Sequence, residues 1–244
     1  MNKQEFESII RDNLTEKIRD PAVFEALCTL TPDVRPMKDY DQNNKYHCFD
    51  LLTHTVMTVD GVCTDGLSDD EIRMLKTAAF FHDIGKPYVA VIKDNPDGST
   101  RTSYPGHPEK SEELAYPVLQ ELGYPEEEIR KIRFYITAHD LFLHFVPESA
   151  SSKKRHRNTI NERNILRVQN RIMENRPELG ITHHDFFVLL HLCRSDMKSH
   201  NRIVYNYVGN IVDTYVQMEM RAMMIQDICY FLASPEIDVK LDDE

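Results

Sequence analysis

The sequence predicts an all-α protein, and three features of the pattern support this fold class. Apolar residues recur every three or four positions along most of the chain, which is the period of a helix that buries one face. Two capping-box signatures mark helix starts, and glycine and proline separate the periodic stretches. A chain of 244 residues with a hydrophobic content of 41% can bury a core as one large domain or two small ones.

The first capping box lies at Ser68 and Glu71 and predicts a helix whose apolar face includes Leu75. We expect this helix to end at Gly85, because glycine is the usual residue after a helix C-terminus. Pro87 then prevents the helix from resuming.

The pattern changes between residues 88 and 104, where two short extended runs flank an NPDG turn. Such an arrangement predicts a small β-hairpin. Helices are expected again at about 108–122 and 126–139, with glycine and proline between them. A second capping box, at Thr182 and Asp185, predicts the start of a helix over HHDFFVLLHLCRSD.

A long helix is predicted from about residue 202 to 233, with apolar residues spaced by alternating fours and threes. The residues of this a/d seam are Val204, Val208, Ile211, Tyr215, Met218, Ala222, Ile225, Cys229 and Leu232. The seam suits either packing along the helix's own domain or a homodimer, and the wide Met-rich stripe favours the first. We therefore divide the chain into a domain at 1–201, which includes an N-terminal helical extension, and a segment at 202–244. That segment carries the long helix, packed on the domain or dimerising, and an acidic tail.

The composition disfavours several classes of protein. Five scattered cysteines without a CxxC pair are typical of reduced thiols and argue against a disulfide framework or a zinc ribbon. A net charge of −11 disfavours duplex nucleic acid as the main partner, although the basic run at 153–157 is a candidate phosphate contact. The sequence shows neither a signal-peptide pattern nor an apolar run that could cross a bilayer, so we expect a cytoplasmic protein with no membrane partner.

The stretch FFHDIGKP, at residues 80–87, ends an apolar run in two residues that are costly to bury. His82 lies on the apolar face of its predicted helix, as do His139 and Asp196 on later helices. Each of them alone has an ordinary explanation, such as a hydrogen-bonded core histidine or a capping aspartate. Three such residues in one chain favour a shared cation.

His54, in FDLLTHTV, and His107, in YPGHPEK, complete the candidate set together with Asp83. Four imidazoles and two carboxylates suit one or two divalent transition-metal ions, and iron, manganese, cobalt, nickel and zinc all accept such ligands. They do not suit calcium, which prefers oxygen ligands throughout. We expect most of the other histidines to lie at the surface: His47, His144, His156, His183, His184, His191 and His200.

The ordered series of His54, His82–Asp83 and Asp196 resembles the HD superfamily of metal-dependent phosphohydrolases, of which HDIGK is a characteristic form. Further blocks are similar to the C-terminal HD region of bacterial tRNA nucleotidyltransferases, the CCA-adding enzymes. These blocks are DQNNKYHCFDLLTHT at 41–55, AAFFHDIGKP at 78–87, YPGHPEKSEELA at 104–115 and CRSDMKS at 193–199. The similarity covers about residues 20 to 200. No Gly-Gly pair and no paired-carboxylate strand precede these blocks, so we expect a stand-alone HD module that does not add nucleotides.

The resemblance implies an HD-domain helical bundle in which ligands from separate helices converge on one buried site. The implied ligands of one metal ion are His54, His82, Asp83 and Asp196. In members of the superfamily with two ions, the aspartate of the HD pair bridges them, and His107 and His139 match the positions that bind the second ion. Some of these members have adjacent histidines where this chain has His139–Asp140, which leaves the second site open.

Two neighbouring metal ions lower the pKa of a bridging water and hold the oxygens of an in-line displacement at phosphorus. Asp83 would bridge the ions, and Lys86 would bind the phosphate or stabilise the leaving oxygen. Lys86 also has an ordinary interpretation, as a lysine favoured at a helix C-terminus. Arg194 and Lys198 flank Asp196 and are candidates for further phosphate contacts or simply for solubility.

The resemblance implies hydrolysis of a nucleotide phosphoester, with 2′,3′-cyclic phosphodiesterase, nucleotidase or phosphatase activity. Dinucleoside polyphosphates, deoxynucleoside triphosphates and alarmones remain open as substrates. Two alternatives belong to other classes of function. One is a diiron oxygenase of the same superfamily, and the other is a catalytically idle nucleotide-binding module that dimerises through the 202–233 helix.

Overall fold

A computed structural model describes residues 1–147, 159–200, 203–205 and 211–233. Ten α-helices are formed by these residues: α1 Lys3–Arg11, α2 Leu14–Lys17, α3 Pro21–Leu30, α4 Leu51–Asp60, α5 Asp69–Phe81, α6 His107–Glu121, α7 Glu126–Ala138, α8 Glu162–Asn175, α9 His183–Lys198 and α10 Thr214–Leu232. Two antiparallel pairs of short strands accompany them: β1 Val91–Asp94 with β2 Thr100–Ser103, and β3 Ile203–Tyr205 with β4 Ile211–Asp213. The predicted helical fold class and the hairpin after the HDIGKP stretch are confirmed.

Both predicted capping boxes stand at helix starts. The Ser68 hydroxyl accepts from the backbone of Glu71 at the start of α5, and the Glu71 carboxylate accepts from the Ser68 backbone N–H at 2.7 Å. At the start of α9 the Asp185 carboxylate accepts from the N–H of Thr182 at 2.8 Å and from its hydroxyl at 2.9 Å. These contacts satisfy amides that a helix N-terminus leaves unpaired, so they fix where both helices begin.

Helix α5 is the centre of the core and packs against α1, α4, α7 and α9. Leu75, Phe80 and Phe81 are almost completely buried, and the ring of Phe6 meets that of Phe80 edge to face at 5.4 Å. Each such side chain contributes about 1.5–3 kcal/mol when it leaves water. The C-terminal end of α5, which carries the HD pair, is therefore held firmly in the middle of the molecule.

The predicted end of α5 at Gly85 needs correction. The helix ends at Phe81, and a turn leads to a single 3₁₀ turn at Lys86–Tyr88. A Cβ on Gly85 would lie 2.6 Å from the backbone nitrogen of Ser111 and 2.9 Å from the carbonyl of His107, which is closer than packing allows. Glycine is thus required here because the first turn of α6 packs directly on this segment, and that packing brings His107 beside the HD pair.

The prediction of one helix from 202 to 233 is wrong in its first part, where Val204 lies in β3 and Ile211 in β4. The intervening residues 206–210, which include Val208, lie outside the described residues, but their sequence NYVGN contains turn formers that compete with a helix. Along α10, four residues of the predicted seam are buried by packing on α9 and α8: Ala222, Ile225, Cys229 and Leu232. This part of the seam therefore packs along its own chain, and dimerisation through the helix stays a prediction.

The basic run at 153–157 and the acidic tail at 234–244 lie outside the described residues. None of the helices in the described part of the chain is long and apolar enough to span a membrane.

Candidate metal centre

Four of the predicted ligands meet in the core, from α4, from the turn after α5 and from α9. The Nε2 atom of His54 lies 3.0 Å from Asp196 Oδ1 and 3.2 Å from Asp83 Oδ2. The Nε2 atom of His82 lies 3.2 Å from Asp83 Oδ2 and 3.5 Å from Asp196 Oδ1. All four residues are at most 3% exposed. Their nitrogen and oxygen atoms surround one point, as the ligands of a single metal ion do.

The outer edges of both imidazoles are fixed by hydrogen bonds. His82 Nδ1 lies 2.7 Å from the carbonyl of Ala79, and His54 Nδ1 lies 2.8 Å from the hydroxyl of Ser199. That hydroxyl donates to the carbonyl of Asp196 at 2.6 Å, so it accepts from His54. Because Nδ1 donates in each neutral ring, the lone pair of Nε2 points into the cluster, which is the tautomer that a metal requires.

The inner atoms of this cluster have no hydrogen-bond partner in the part of the chain that the structure describes. They are Nε2 of His54, Nε2 of His82 and Oδ1 of Asp196; Oδ1 of Asp83, the oxygen on the other side of that carboxylate, has no partner among the described residues either. A buried polar atom left without a partner costs about 1–3 kcal/mol, and more when it is charged. Four such atoms so close together would be a serious defect in a core. A bound cation removes it, and the donor set of imidazoles and carboxylates fits a divalent transition-metal ion.

The charges of the site keep the carboxylates ionised. Burial alone would raise the pKa of Asp83, but His82 and Lys86 hold it well below its usual range. The pKa of Asp196 is likewise held well below its usual range against burial, chiefly by His200 and His54. Burial would lower the pKa of His82, but Asp83 and Asp196 raise it to about 10. In the absence of a metal ion, a proton on His82 and the ammonium of Lys86 balance the two anions, and a metal ion has to displace that proton.

A second cluster shares Asp83 with the first. Asp83 Oδ1 lies 3.2 Å from His107 Nε2 and 3.7 Å from His139 Nε2, and these two nitrogens are 3.2 Å apart. The Nδ1 atoms again face backbone carbonyls, of Tyr104 at 2.9 Å and of Ile136 at 2.7 Å. Asp83 therefore presents one oxygen to each cluster, which is the arrangement of a bridging ligand between two ions.

Asp140 also borders the second cluster, although the sequence analysis did not count it as a ligand. Its Oδ1 lies 3.5 Å from His139 Nε2, and its Oδ2 lies 3.6 Å from His107 Nε2. Its side chain is 34% exposed and lines the adjoining cleft. A carboxylate thus stands beside the second cluster and could serve as a metal ligand or accept a proton.

Lys86 lies at the junction between the metal ligands and the cleft. Its ammonium is 2.6 Å from Asp83 Oδ2 and donates to the side-chain oxygen of Gln42 at 2.9 Å. The residue is only 6% exposed, yet it is among those that line the cleft. Lys86 thus lies between the candidate ligands and the cleft, and its role as a phosphate-binding group stays a prediction.

The structure does not bring Arg194 and Lys198 to the cleft. Arg194 donates to Gln226 at 2.7 Å and to Glu219 at 3.0 Å, and Lys198 lies 3.3 Å from Glu219. Both residues therefore attach α9 to α10. Arg194 lies two positions before Asp196, and Lys198 lies two positions after it. Two positions correspond to about 200° around a helix, so both side chains point away from the face that carries Asp196.

Two histidines that were not predicted as site residues, His47 and His200, lie beside the first cluster. His200 Nε2 lies 3.6 Å from Asp196 Oδ1, and the ring of His47 meets the ring of His200 edge to face at 4.4 Å. Burial is the main cause that lowers the pKa of His47 to about 2 and that of His200 to about 4, so both are neutral. The spacing of four residues between Asp196 and His200 could have revealed the second one. The expectation of a surface position also fails for His191, which is 2% exposed.

The two clusters open into a cleft of about 1320 Å³. Its floor includes Asp83, His107 and His139, and its wall includes the β1–β2 hairpin together with the loop at 41–47. Cationic side chains on this wall are Lys45, Lys93 and Arg101. A ligand in the cleft can reach both metal clusters and the hairpin.

No family model matches the chain. Among curated proteins, the chain is similar to an A-adding tRNA nucleotidyltransferase of Deinococcus radiodurans, at 26% identity over 139 residues. The matched region covers 53% of this chain but only 31% of that relative, so this chain spans about a third of its length. The similarity is distant, and the buried histidine–aspartate clusters are consistent with an HD-type metal site.

Proposed function

We propose that the protein is an HD-type metal-dependent phosphohydrolase that acts on a nucleotide phosphoester, with 2′,3′-cyclic phosphodiesterase, nucleotidase or phosphatase activity. The observation that carries the proposal is the position of Asp83 between two clusters of inward-facing histidines at the base of a large cleft. The distant similarity to a protein of tRNA nucleotide chemistry supports a phosphorylated substrate.

Divalent ions bound at the two clusters would supply an activated water and polarise the phosphoryl oxygens. The residues of this chain supply the remaining functions. Asp83 orients both clusters through its two oxygens, and the hydrogen bonds to Nδ1 hold the imidazole rings in place. Because such preorganisation exists before the substrate arrives, little reorganisation is needed during the reaction.

Lys86 and Asp140 have complementary tasks in this proposal. The Lys86 ammonium stands beside Asp83 at the cleft and stabilises negative charge on the phosphate or the leaving oxygen. Asp140 is partly exposed next to His107 and His139, where its carboxylate accepts a proton and passes it to solvent. Neither task requires the residues to move from where the structure places them.

Two other functions fit a pair of metal sites of this type. A diiron oxygenase would use the same donor atoms, but a phosphorylated substrate is better supported by the tRNA nucleotidyltransferase-like region. An idle binding module has no need for a buried site with four unpaired polar atoms, which costs stability when it is empty. Hydrolysis is therefore the function that the site supports best.

The test is turnover of 2′,3′-cyclic AMP, 2′-AMP and bis-p-nitrophenyl phosphate by protein stripped of metal and reloaded separately with Mn²⁺, Co²⁺ or Ni²⁺. We expect turnover that depends on the metal and is lost in His82→Ala. His183→Ala is the matched control, because His183 binds Gln169 outside both clusters. No turnover from protein that still binds two ions would contradict the proposal, and oxygen consumption by the ferrous form would favour the oxygenase.

A further inference from the structure

The β1–β2 hairpin carries two cations directly opposite each other. Lys93 on β1 pairs with Arg101 on β2, so both side chains leave the same face of the hairpin. Residues opposite each other in an antiparallel pair have Cβ atoms about 4.5–5.5 Å apart, and like charges at that separation repel. Sheet stability alone therefore disfavours this pair.

Neither cation is neutralised in the part of the chain that the structure describes. Both side chains are exposed and line the cleft, and neither forms an ion pair or a hydrogen bond with a described residue. The aspartates of the hairpin do not pair with these cations, although Asp97 also lines the cleft. Asp94 lies one position from Lys93 and so on the opposite face, while Asp97 accepts from the N–H and the hydroxyl of Ser99 at 2.9 and 2.6 Å.

The hairpin is held against the cleft rather than extending into solvent. The N–H of Thr102 donates to the carbonyl of Asn43 at 3.0 Å, and the hydroxyl of Tyr104 donates to the carbonyl of Gln42 at 2.8 Å. The loop that receives these bonds also contributes Lys45 to the cleft wall. Lys93 and Arg101 are thus positioned at the same cleft that the metal clusters face.

The cleft is larger than a single phosphoester needs. Its volume of about 1320 Å³ exceeds the ~300–1000 Å³ that is typical of small-ligand pockets. A chain with a net charge of −11 nevertheless places Lys93 and Arg101, which have no ion-pair partner among the described residues, on the wall of this cleft. Both facts favour a ligand with a second anionic group away from the reacting centre.

We propose that Lys93 and Arg101 bind a second phosphate group of the substrate while the phosphoester to be hydrolysed lies at the histidine–aspartate clusters. This inference rests on the proposed phosphohydrolase function and narrows its substrate class. The substrate is a nucleotide that carries two phosphate groups on its sugar: the 2′- or 3′-phosphoester that is hydrolysed and a 5′-phosphate. The guanidinium of Arg101 provides a fork for two phosphate oxygens, and Lys93 adds a point charge.

The test compares adenosine 2′,5′-bisphosphate with 2′-AMP, which differ by one 5′-phosphate. Binding of each to the metal-loaded protein is measured by calorimetry under conditions in which an assay of released phosphate shows that the nucleotide stays intact. We expect the bisphosphate to bind about tenfold more tightly, as expected of two partly exposed charged contacts. In the variant Lys93→Gln/Arg101→Gln the ratio of the two affinities should fall to about twofold or less.

The matched control is Arg19→Gln/Lys38→Gln, which removes the same charge from exposed positions outside the cleft. It should keep the affinity ratio of the wild type, and Arg101→Lys should keep most of it. Equal affinities for both nucleotides in the wild type, or the same loss in the control, would overturn the inference. Hydrolysis of 2′-AMP is measured separately: its absence counts against the phosphohydrolase, whereas a lost affinity ratio counts against the subsite alone.

Discussion

The two metal clusters share Asp83 but differ in how they are enclosed. In the first cluster the side chains of His54, His82 and Asp83 are at most 1% exposed. In the second cluster the side chain of His107 is 12% exposed, and that of the adjacent Asp140 is 34% exposed. One cluster is built into the helical core, and the other faces the cleft.

This difference indicates a division of tasks. An ion in the first cluster satisfies buried atoms that nothing else among the described residues can satisfy, so it should bind tightly and stabilise the fold. An ion in the second cluster has access to solvent and to the substrate, so it should exchange more readily. We therefore predict that an ion in the first cluster would be mainly structural and electrostatic, and that the substrate would contact an ion in the second.

The largest effect is expected from Asp83→Asn, which removes the charge that both clusters share. Turnover should fall by at least about 10³-fold, equivalent to about 4 kcal/mol of transition-state stabilisation. His107→Ala should by contrast remove only the second ion. Metal content by mass spectrometry, together with turnover, separates the two variants. Loss of both ions from His107→Ala, with a far-UV circular dichroism spectrum like that of the wild type, would contradict the proposed division of tasks between the two ions.

A smaller loss is expected from Lys86→Met, which keeps the length of the side chain but removes the ammonium beside Asp83. Loss of one preorganised donor typically lowers kcat by about 10²-fold. Gln42→Leu, which deletes the other partner of that ammonium, should lower kcat less. Steady-state kinetics at fixed metal content measures both. Unchanged kcat in Lys86→Met would show that Lys86 is an ordinary lysine of its turn.

Sequence reasoning located the ligands because helical periodicity exposes polar residues that stand where leucines belong. His82, His139 and Asp196 were found in this way, and the structure brings them together. Asp140 and His47 were missed because they lie outside the helices and strands, where side-chain direction does not follow a period. The length of α10 was overestimated because the β-branched residues of β3 and β4 fit the a/d spacing by coincidence.

Arg194 and Lys198 show that residues close to a candidate ligand in sequence can lie away from the site. Proximity to Asp196 in sequence suggested proximity in the site, but their places on the opposite side of α9 direct them to Glu219. The helical period applied to Asp196 already excluded them from the ligand face. The packing of α10 on this side of α9 could not be predicted, because no local feature of the sequence specifies which helix packs there.

A still smaller effect is expected from Ser199→Ala, which removes the acceptor of His54 Nδ1 without touching the metal. Loss of such an outer contact usually lowers metal affinity by about 10–100-fold. The first ion should weaken while the second keeps its affinity, so the variant would sharpen the contrast between the clusters. Competition with a chelator measures both affinities. Ser8→Ala, at an exposed position on α1, is the control and should change neither.

The smallest effect concerns stability rather than turnover. A ligand at about 100 times its dissociation constant stabilises the folded state by about 2.7 kcal/mol, which raises Tm by about 5–10 °C for a chain of this size. Because the first cluster is buried, most of this increase should come from its ion. Asp140→Asn should therefore keep the metal-dependent rise in Tm, and Asp196→Asn should lose it. Calorimetric scans with and without Mn²⁺ compare the two variants. An equal loss in both would mean that the clusters bind metal as one unit, which is the outcome to watch for because Asp140 and Asp196 also have ligand atoms within 4.8 Å of each other.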